Sequence, residues 1–189
     1  MKIFVNAKTE DICKNICATL EELSTEIVYC SDDAEQGKDL SDYDAIVVST
    51  PLRSEFGLEF VTDAAKRSNA AIVVLSRADI AEDVQNRIKF TGAFVIGKPF
   101  PKSVLVNTVK MAVLAKENMN RLEKEKSDLS KQLDDVKIID RAKCYLIEYL
   151  NLTESQAHRH IQKLAMDTRR TQREIAEDVL RTYSGMTNV

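Results

Sequence analysis

The sequence of 189 residues contains no tryptophan, three prolines, five glycines and no run of 18 apolar residues. The missing apolar run argues against a transmembrane helix. The apolar stretch at Met1–Asn6 is too short for a secretory signal, so we expect a cytoplasmic protein. Because proline and glycine are scarce, few positions interrupt the chain, and long helices are expected.

An excess of basic residues is also absent, since 30 aspartates and glutamates outnumber 27 lysines and arginines. The average net charge of −3 argues against a nucleic-acid ligand. That average conceals a gradient, because the net charge is −5 over residues 1–102, zero over 103–136 and +2 over 137–189. The C-terminal segment is therefore the basic part of the chain.

Residues that carry metal or catalytic chemistry are few. The four cysteines (Cys13, Cys17, Cys30 and Cys144) are expected to be free thiols in a reducing compartment. His158 and His160 would diverge on a helix, so no metal site is predicted. Paired catalytic carboxylates, an activated nucleophile and a glycine-rich phosphate loop are not apparent. We therefore expect neither an enzyme nor a cofactor.

The first half of the chain alternates short apolar runs with amphipathic stretches at 9–24, 56–68 and 79–90. Strands that are apolar on both faces and separated by helices are typical of a parallel sheet covered on both sides. The sequence thus predicts an α/β fold with a doubly wound, five-stranded parallel sheet over residues 1–115. The predicted strands are Ile3–Val5, Glu26–Cys30, Ala45–Val48, Ala71–Leu75 and Ala93–Ile96.

Residues 103–136 carry a heptad pattern, in which apolar residues recur at alternating spacings of three and four. The same register extends back through Ala115, Ala112 and Leu105. Because no proline or glycine occurs between Lys102 and Gly185, the last helix of the sheet domain is expected to continue into a coiled coil. A parallel homodimer is favoured over a linker helix packed on its own chain. The predicted dimer seam consists of Met119, Leu122, Leu129, Leu133 and Val136, with Lys126 at one further seam position.

Residues 137–189 are predicted to form a small three-helix domain, with helices at 137–150, 154–168 and 172–183. Thr153 and Thr171 each begin a capping-box pattern, in which a threonine is followed three residues later by Gln or Glu. A domain of this length is too small for a large core, so it is expected to pack against the coiled coil or a partner.

Several motifs surround the predicted strands: Tyr43-Asp44, Leu52, Gly57-Leu58-Glu59, Ser76, Gly92-Ala93 and Lys98-Pro99-Phe100. Together they resemble the receiver domain of two-component response regulators. The resemblance implies a flavodoxin-like fold for residues 1–115.

The chain departs from the receiver pattern at the phosphorylation site. Ser49 stands where the family has its phosphorylated aspartate, and Asn6, Ala7 and Lys8 stand where it has carboxylates for Mg²⁺. Aspartyl phosphorylation needs a carboxylate nucleophile, so the sequence predicts a pseudo-receiver that is not phosphorylated. Ser76 and Lys98 would then be remnants of the receiver pocket. Control would come from a regulatory protein or a small-molecule-sensing partner.

The C-terminal motifs are longer: Asp140-Arg141-Ala142-Lys143, Leu150-Asn151-Leu152-Thr153-Glu154, Ala157, residues 164–170 and residues 175–180. They resemble the ANTAR domain of the AmiR and NasR transcription antitermination regulators. The combination with a degenerate receiver is AmiR-like. The resemblance implies a protein that binds hairpins in nascent leader mRNA and prevents terminator formation.

The residue types of this segment agree with RNA recognition, which needs cations for phosphates and planar side chains for splayed bases. Tyr145 and Tyr149 are read as core or interface residues in preference to base-stacking residues. The predicted RNA-binding residues are Arg141, Lys143, His158, Arg159, Lys163, Arg169, Arg170 and Arg173.

Two other functions stay open. The helix after Thr171 begins with Gln172, Arg173 and Glu174, which would suit the recognition helix of a DNA-binding regulator. A protein-interaction scaffold that uses the coiled coil and the receiver face is the other alternative.

Overall fold

The computed structural model describes residues 1–23, 26–30, 39–52 and 56–184, and the chain divides into two compact units, Met1–Arg121 and Leu122–Val189. The strands of the described residues are β1 (Lys2–Ala7), β2 (Glu26–Cys30), β3 (Ala45–Ser49), β4 (Ala71–Arg77) and β5 (Phe94–Lys98). The α-helices are α1 (Glu10–Leu20), α2 (Leu58–Arg67), α3 (Ala81–Ile88), α4 (Lys102–Leu150), α5 (Glu154–Thr168) and α6 (Gln172–Ser184). Single 3₁₀ turns precede and follow α3, at Ala78–Ile80 and Lys89–Thr91.

In the described residues of Met1–Arg121, five parallel strands form one sheet in the order β2-β1-β3-β4-β5. The central strand β3 pairs with β1 and β4, and every one of its residues is buried. The edge strand β2 has exposed residues, because only β1 pairs with it. Burial on both faces explains why the central strands are continuous apolar runs. The parallel strand order confirms the predicted doubly wound sheet.

Each face of the sheet is covered by helices. On one face Ile3, Val5 and Val47 pack with α1 and with Leu105, Val109 and Ala112 of α4. On the other face Phe4, Ile46 and Val48 pack with α2 and α3. Neighbouring residues of a strand therefore serve opposite cores, as the alternation of side chains along a strand requires.

Helix α4 runs without interruption for 49 residues, from Lys102 to Leu150, as the absence of proline and glycine predicts. Its early heptad positions differ from the expected seam, because Leu105 and Ala112 are buried against the sheet. The first helix of the predicted C-terminal domain is likewise the end of α4 and does not begin at residue 137. The predicted seam residues Met119, Leu122, Leu129, Leu133 and Val136 are between 55% and 62% exposed.

In Leu122–Val189, the core lies between the end of α4 and the helices α5 and α6. Ala142 and Leu146 of α4 pack against Ala157 and Ile161 of α5 and against Ala176 of α6. This core confirms the expected three-helix packing. The last five residues of the predicted 137–189 domain lie outside the described residues.

Both predicted capping boxes are present. The Thr153 side chain accepts a hydrogen bond from the Gln156 backbone N–H, and the Gln156 side chain accepts one from the Thr153 N–H at 2.9 Å. Thr171 and Glu174 exchange the equivalent bonds, at 2.8 and 3.2 Å. These reciprocal bonds satisfy backbone donors that a helix start leaves unpaired, and they fix where α5 and α6 begin.

Candidate nucleic-acid interface and receiver pocket

The eight predicted RNA-binding residues all lie in the unit Leu122–Val189. Arg141 and Lys143 are on α4, His158, Arg159 and Lys163 are on α5, Arg169 and Arg170 follow α5, and Arg173 is in the first turn of α6. All are exposed except Lys143 and Arg173, which are partly buried. The structure divides the seven lysines and arginines of this set into two groups.

The first group consists of cations held by carboxylates of the same unit. Lys143 Nζ lies 2.8 Å from Asp140 and 3.2 Å from Glu154. Arg170 donates to Asp178 at 2.6 Å, and this hydrogen bond holds the pKa of the Asp178 carboxyl below its usual range. These pairs join α4 to α5 and the α5–α6 connection to α6.

Arg173 belongs to the same group and has two carboxylate partners. Its guanidinium lies 2.5 Å from Asp135 on α4 and 2.9 Å from Glu177 on α6. The ion pairs Asp140–Lys143 and Arg173–Glu177 can be predicted from the sequence, because their residues are three and four apart on a helix. The partners Asp135 and Asp178 depend on how the helices pack, and sequence reasoning missed both.

The second group consists of Arg141, Arg159, Lys163 and Arg169. These four side chains are exposed, and none forms an ion pair with another residue in the described ranges of the chain. Arg159 and Lys163 are four residues apart on α5 and so lie on one side of that helix. Their charges are therefore available to an anionic ligand.

Arg169 has an unusual backbone conformation. Its φ of 55° places it in the left-handed region, where it ends α5. The following N–H of Arg170 donates to Ala165 O at 3.0 Å, which closes the helix end. Glycine is the residue most often found at such a position, and here an arginine occupies it.

Three tyrosines stack on one another in this unit. The Tyr145 and Tyr149 ring centroids are 5.9 Å apart with an interplanar angle of 14°, and Tyr149 and Tyr183 are 5.2 Å apart at 22°. The rings are partly buried, and Tyr145 and Tyr183 pack on the three-helix core. They join α4 to α6, as expected of interface residues.

The receiver-pocket residues meet at the carboxyl ends of the parallel strands. Lys98 Nζ donates to Ser49 Oγ at 2.9 Å and to the Thr50 carbonyl at 3.1 Å. Burial lowers the pKa of the Lys98 ammonium, because desolvation penalises the charged form. Ser76 is fully buried, and its hydroxyl has no hydrogen-bond partner among the described residues.

The residues at the end of β1 do not fit a magnesium ion. Asn6 and Ala7 are buried there, and with Lys8 they offer no carboxylate oxygen. Within the described ranges, no group of three or more histidines, cysteines, aspartates and glutamates is placed to hold a metal ion. No described helix is both long and apolar enough to cross a membrane.

Comparison with known proteins places these features in a family. The ANTAR domain model matches residues 127–180, which include the end of α4, all of α5 and most of α6. The transcriptional regulatory protein PdtaR of Mycobacterium tuberculosis is 31% identical over 172 residues, which cover 89% of this chain and 83% of that protein.

Solved structures match the sheet-containing part. A two-component response regulator from Clostridium difficile is 22% identical, with a TM-score of 0.53 and coverage of 62% of this chain and 98% of that chain. An adenylate cyclase structure from Rhodopirellula baltica is 18% identical, with a TM-score of 0.52 and coverage of 69% and 96%. At these identities the likeness shows the fold alone, which is that of a receiver domain.

The class of protein is thus a response-regulator-type transcriptional regulator, with a receiver fold followed by an ANTAR domain. The chain belongs to the ANTAR family of transcription antitermination regulators.

Proposed function

We propose that this chain is an RNA-binding antiterminator, which binds hairpins in a nascent leader mRNA and so prevents formation of a terminator. The observation that carries the proposal is the set of four exposed cations without carboxylate partners, Arg141, Arg159, Lys163 and Arg169. All four lie within the residues that match the ANTAR domain.

Partner-free cations are favoured as phosphate ligands for an electrostatic reason. A cation that binds phosphate releases a condensed counterion, and this release drives association. Lys143, Arg170 and Arg173 would first have to leave their carboxylates, which offsets part of that gain. We therefore assign phosphate contact to the four partner-free cations and a positioning role to the other three.

Base recognition needs planar side chains that remain accessible. His158 is exposed beside Arg159, and both arginine and histidine stack on unpaired bases in RNA loops. The tyrosines are occupied by one another, which makes them poorer candidates. We propose that His158 and Arg159 contact loop bases or their backbone.

A charge-matched pair of variants tests this proposal. Arg159→Gln with Lys163→Gln should weaken binding of a leader hairpin and reduce the slope of log affinity against log salt by about 1.4, since each lost single-strand phosphate contact contributes about 0.7. Lys131→Gln with Lys137→Gln removes the same charge from exposed positions on α4. Filter binding over a salt series measures both, and equal slopes for the two variants would contradict the assignment.

The DNA-binding alternative loses support at the start of α6. Glu174 folds back onto Thr171, and Arg173 is held by Asp135 and Glu177. Two of the three residues that would read a DNA groove are therefore engaged within the unit. Competition by a DNA duplex of the same sequence as the hairpin distinguishes the alternatives in the same assay.

Control without phosphorylation is the second part of the proposal. Ser49 is 2% exposed and accepts a hydrogen bond from Lys98, an arrangement with no carboxylate to phosphorylate. We propose that a regulatory protein or ligand at the pseudo-receiver, rather than a phosphoryl group, shifts the populations of active and inactive states.

Dimerisation through α4 is the third part. The seam residues Leu122, Leu129, Leu133 and Val136 are more than half exposed on a single helix. A parallel dimer would bury this stripe and would present two RNA-binding units to paired hairpins. The second hairpin would then bind at a high effective concentration, which compensates for a modest charge per subunit.

A further inference from the structure

A cleft in the unit Met1–Arg121 opens beside the receiver pocket, and none of the predicted RNA-binding residues lines it. Its volume is about 320 Å³, within the range of small-molecule sites. Helix α1, the ends of β3, β4 and β5, and the first turn of α4 line it. The carboxyl ends of parallel strands are where open α/β sheets bind their ligands.

The charged part of the lining is positive. Lys98 and Lys102 both face the cleft, and no aspartate or glutamate of the described residues lines it. Lys98 Nζ uses two of its three donors on uncharged oxygens, those of Ser49 and Thr50. The third donor has no acceptor among the described residues, and none of them supplies a counter-charge to this partly buried ammonium.

The rest of the lining is mostly apolar. Ile12 and Ile16 of α1, Leu75 of β4, Phe100 and Leu105 contribute apolar side chains to it. Ile12 is 38% exposed and precedes the buried Ile16 by four residues, so its side chain borders the open part of the cleft. A ligand that fits would carry one negative group for the lysines and an apolar body for these side chains.

We propose that this cleft binds a small monocarboxylate with a short apolar chain. The carboxylate accepts hydrogen bonds from Lys98 and Lys102, and the chain lies against Ile12, Ile16 and Phe100. Lys98 also donates a hydrogen bond to Ser49 at the degenerate phosphorylation site. A ligand bound to Lys98 therefore acts on the residue that contacts this site. The inference supplies a ligand class for the proposed control and does not depend on RNA binding.

The absence of tryptophan gives a direct assay. Phe100→Trp places a single indole in the cleft wall of the full-length chain, and Phe90→Trp places one at a site that is 91% exposed and away from the cleft. Hexanoate should produce a saturable change in fluorescence with Phe100→Trp and none with Phe90→Trp. Hexanamide and inorganic phosphate, which lack the charge and the chain respectively, should each bind at least about tenfold more weakly.

Charge-removing variants in the Phe100→Trp background complete the test. Lys98→Met and Lys102→Met should each weaken hexanoate binding about tenfold or more, whereas Lys110→Met, at an exposed position on α4, should leave it unchanged. Circular dichroism checks that Lys98→Met is folded. Lys102→Met tests the need for a cleft lysine at an exposed residue.

Any of three results would overturn the proposal: no saturable hexanoate binding by the unsubstituted full-length chain in isothermal titration calorimetry, equal affinity for hexanamide, or insensitivity to both cleft lysines. Hairpin binding is measured separately on the full-length chain without hexanoate, so loss of this proposal leaves the RNA proposal standing, and the reverse also holds.

Discussion

Arg159 and Arg173 are the same kind of residue in different surroundings. Arg173 is enclosed by two carboxylates, whereas Arg159 has no ion-pair partner among the residues that the structure describes. Both arginines are equally apparent in the sequence. The Glu177 partner of Arg173 can be predicted as well, because it lies four residues further along the same helix. The sequence does not show Asp135, which is 38 residues away and is brought close by packing of α4 on α6. The roles of individual cations therefore depend on tertiary structure.

Arg169 allows stability and RNA binding to be separated at one position. Arg169→Gly removes the steric cost of a left-handed backbone, so the free energy of unfolding should stay level or rise by up to about 1 kcal/mol. RNA affinity should fall, because the phosphate contact proposed for this side chain is lost. Urea unfolding and filter binding measure the two effects.

Arg169→Gln is the matched control, since it removes the charge and keeps a side chain at the same strained backbone. Its RNA affinity should fall to the level of Arg169→Gly, without the gain in stability. Wild-type RNA affinity in both variants would remove Arg169 from the proposed interface.

At the scale of elements, periodicity predicted where the strands and helices lie. It predicted less well which elements pack against one another. The five apolar runs become the five strands because burial on both faces demands such runs. The heptad register of α4 was continuous, yet Leu105 packs on the sheet and Leu129 is exposed. An apolar stripe indicates that something covers it, but it does not identify what does so.

A substitution in the seam tests what covers the exposed stripe. Leu129→Asp should convert a dimer into a monomer in light scattering, because a carboxylate at a seam position cannot be buried without large cost. Ser127→Asp adds the same charge two residues away, outside the seam register, and should remain dimeric. A dimer mass for Leu129→Asp would show that another surface forms the interface.

At the scale of the whole molecule, the order of receiver, long helix and ANTAR domain could be predicted from the sequence. Motifs mark the two domains, and the absence of proline and glycine marks the helix between them. The cleft between α1 and α4 could not be predicted, since Ile12, Ser49 and Lys102 come from segments far apart in the chain. Their juxtaposition depends on the sheet order and on how the helices cover it.

Exposure to acetyl phosphate tests whether the receiver domain of this chain can be phosphorylated. With Ser49 in place of an aspartate and no carboxylates at the end of β1, the mass of the protein should not change in the presence of Mg²⁺. Intact-mass spectrometry gives the measurement, and a phosphorylatable response regulator in the same tube confirms that the reagent is active. A Mg²⁺-dependent gain of one phosphoryl group would refute the pseudo-receiver.

The sheet order also has a consequence for folding kinetics. Strands β1 and β3 pair across about 40 residues, so the sheet must close long loops before its contacts stabilise it. The packing of α5 on α6 joins segments that are close in sequence, and such helical contacts form faster. We expect refolding from urea to show a fast helical phase from the ANTAR unit and a slower phase from the sheet. The ANTAR unit, which is proposed to bind the transcript, is synthesised after the sheet. It would then fold sooner after its own synthesis than the sheet does.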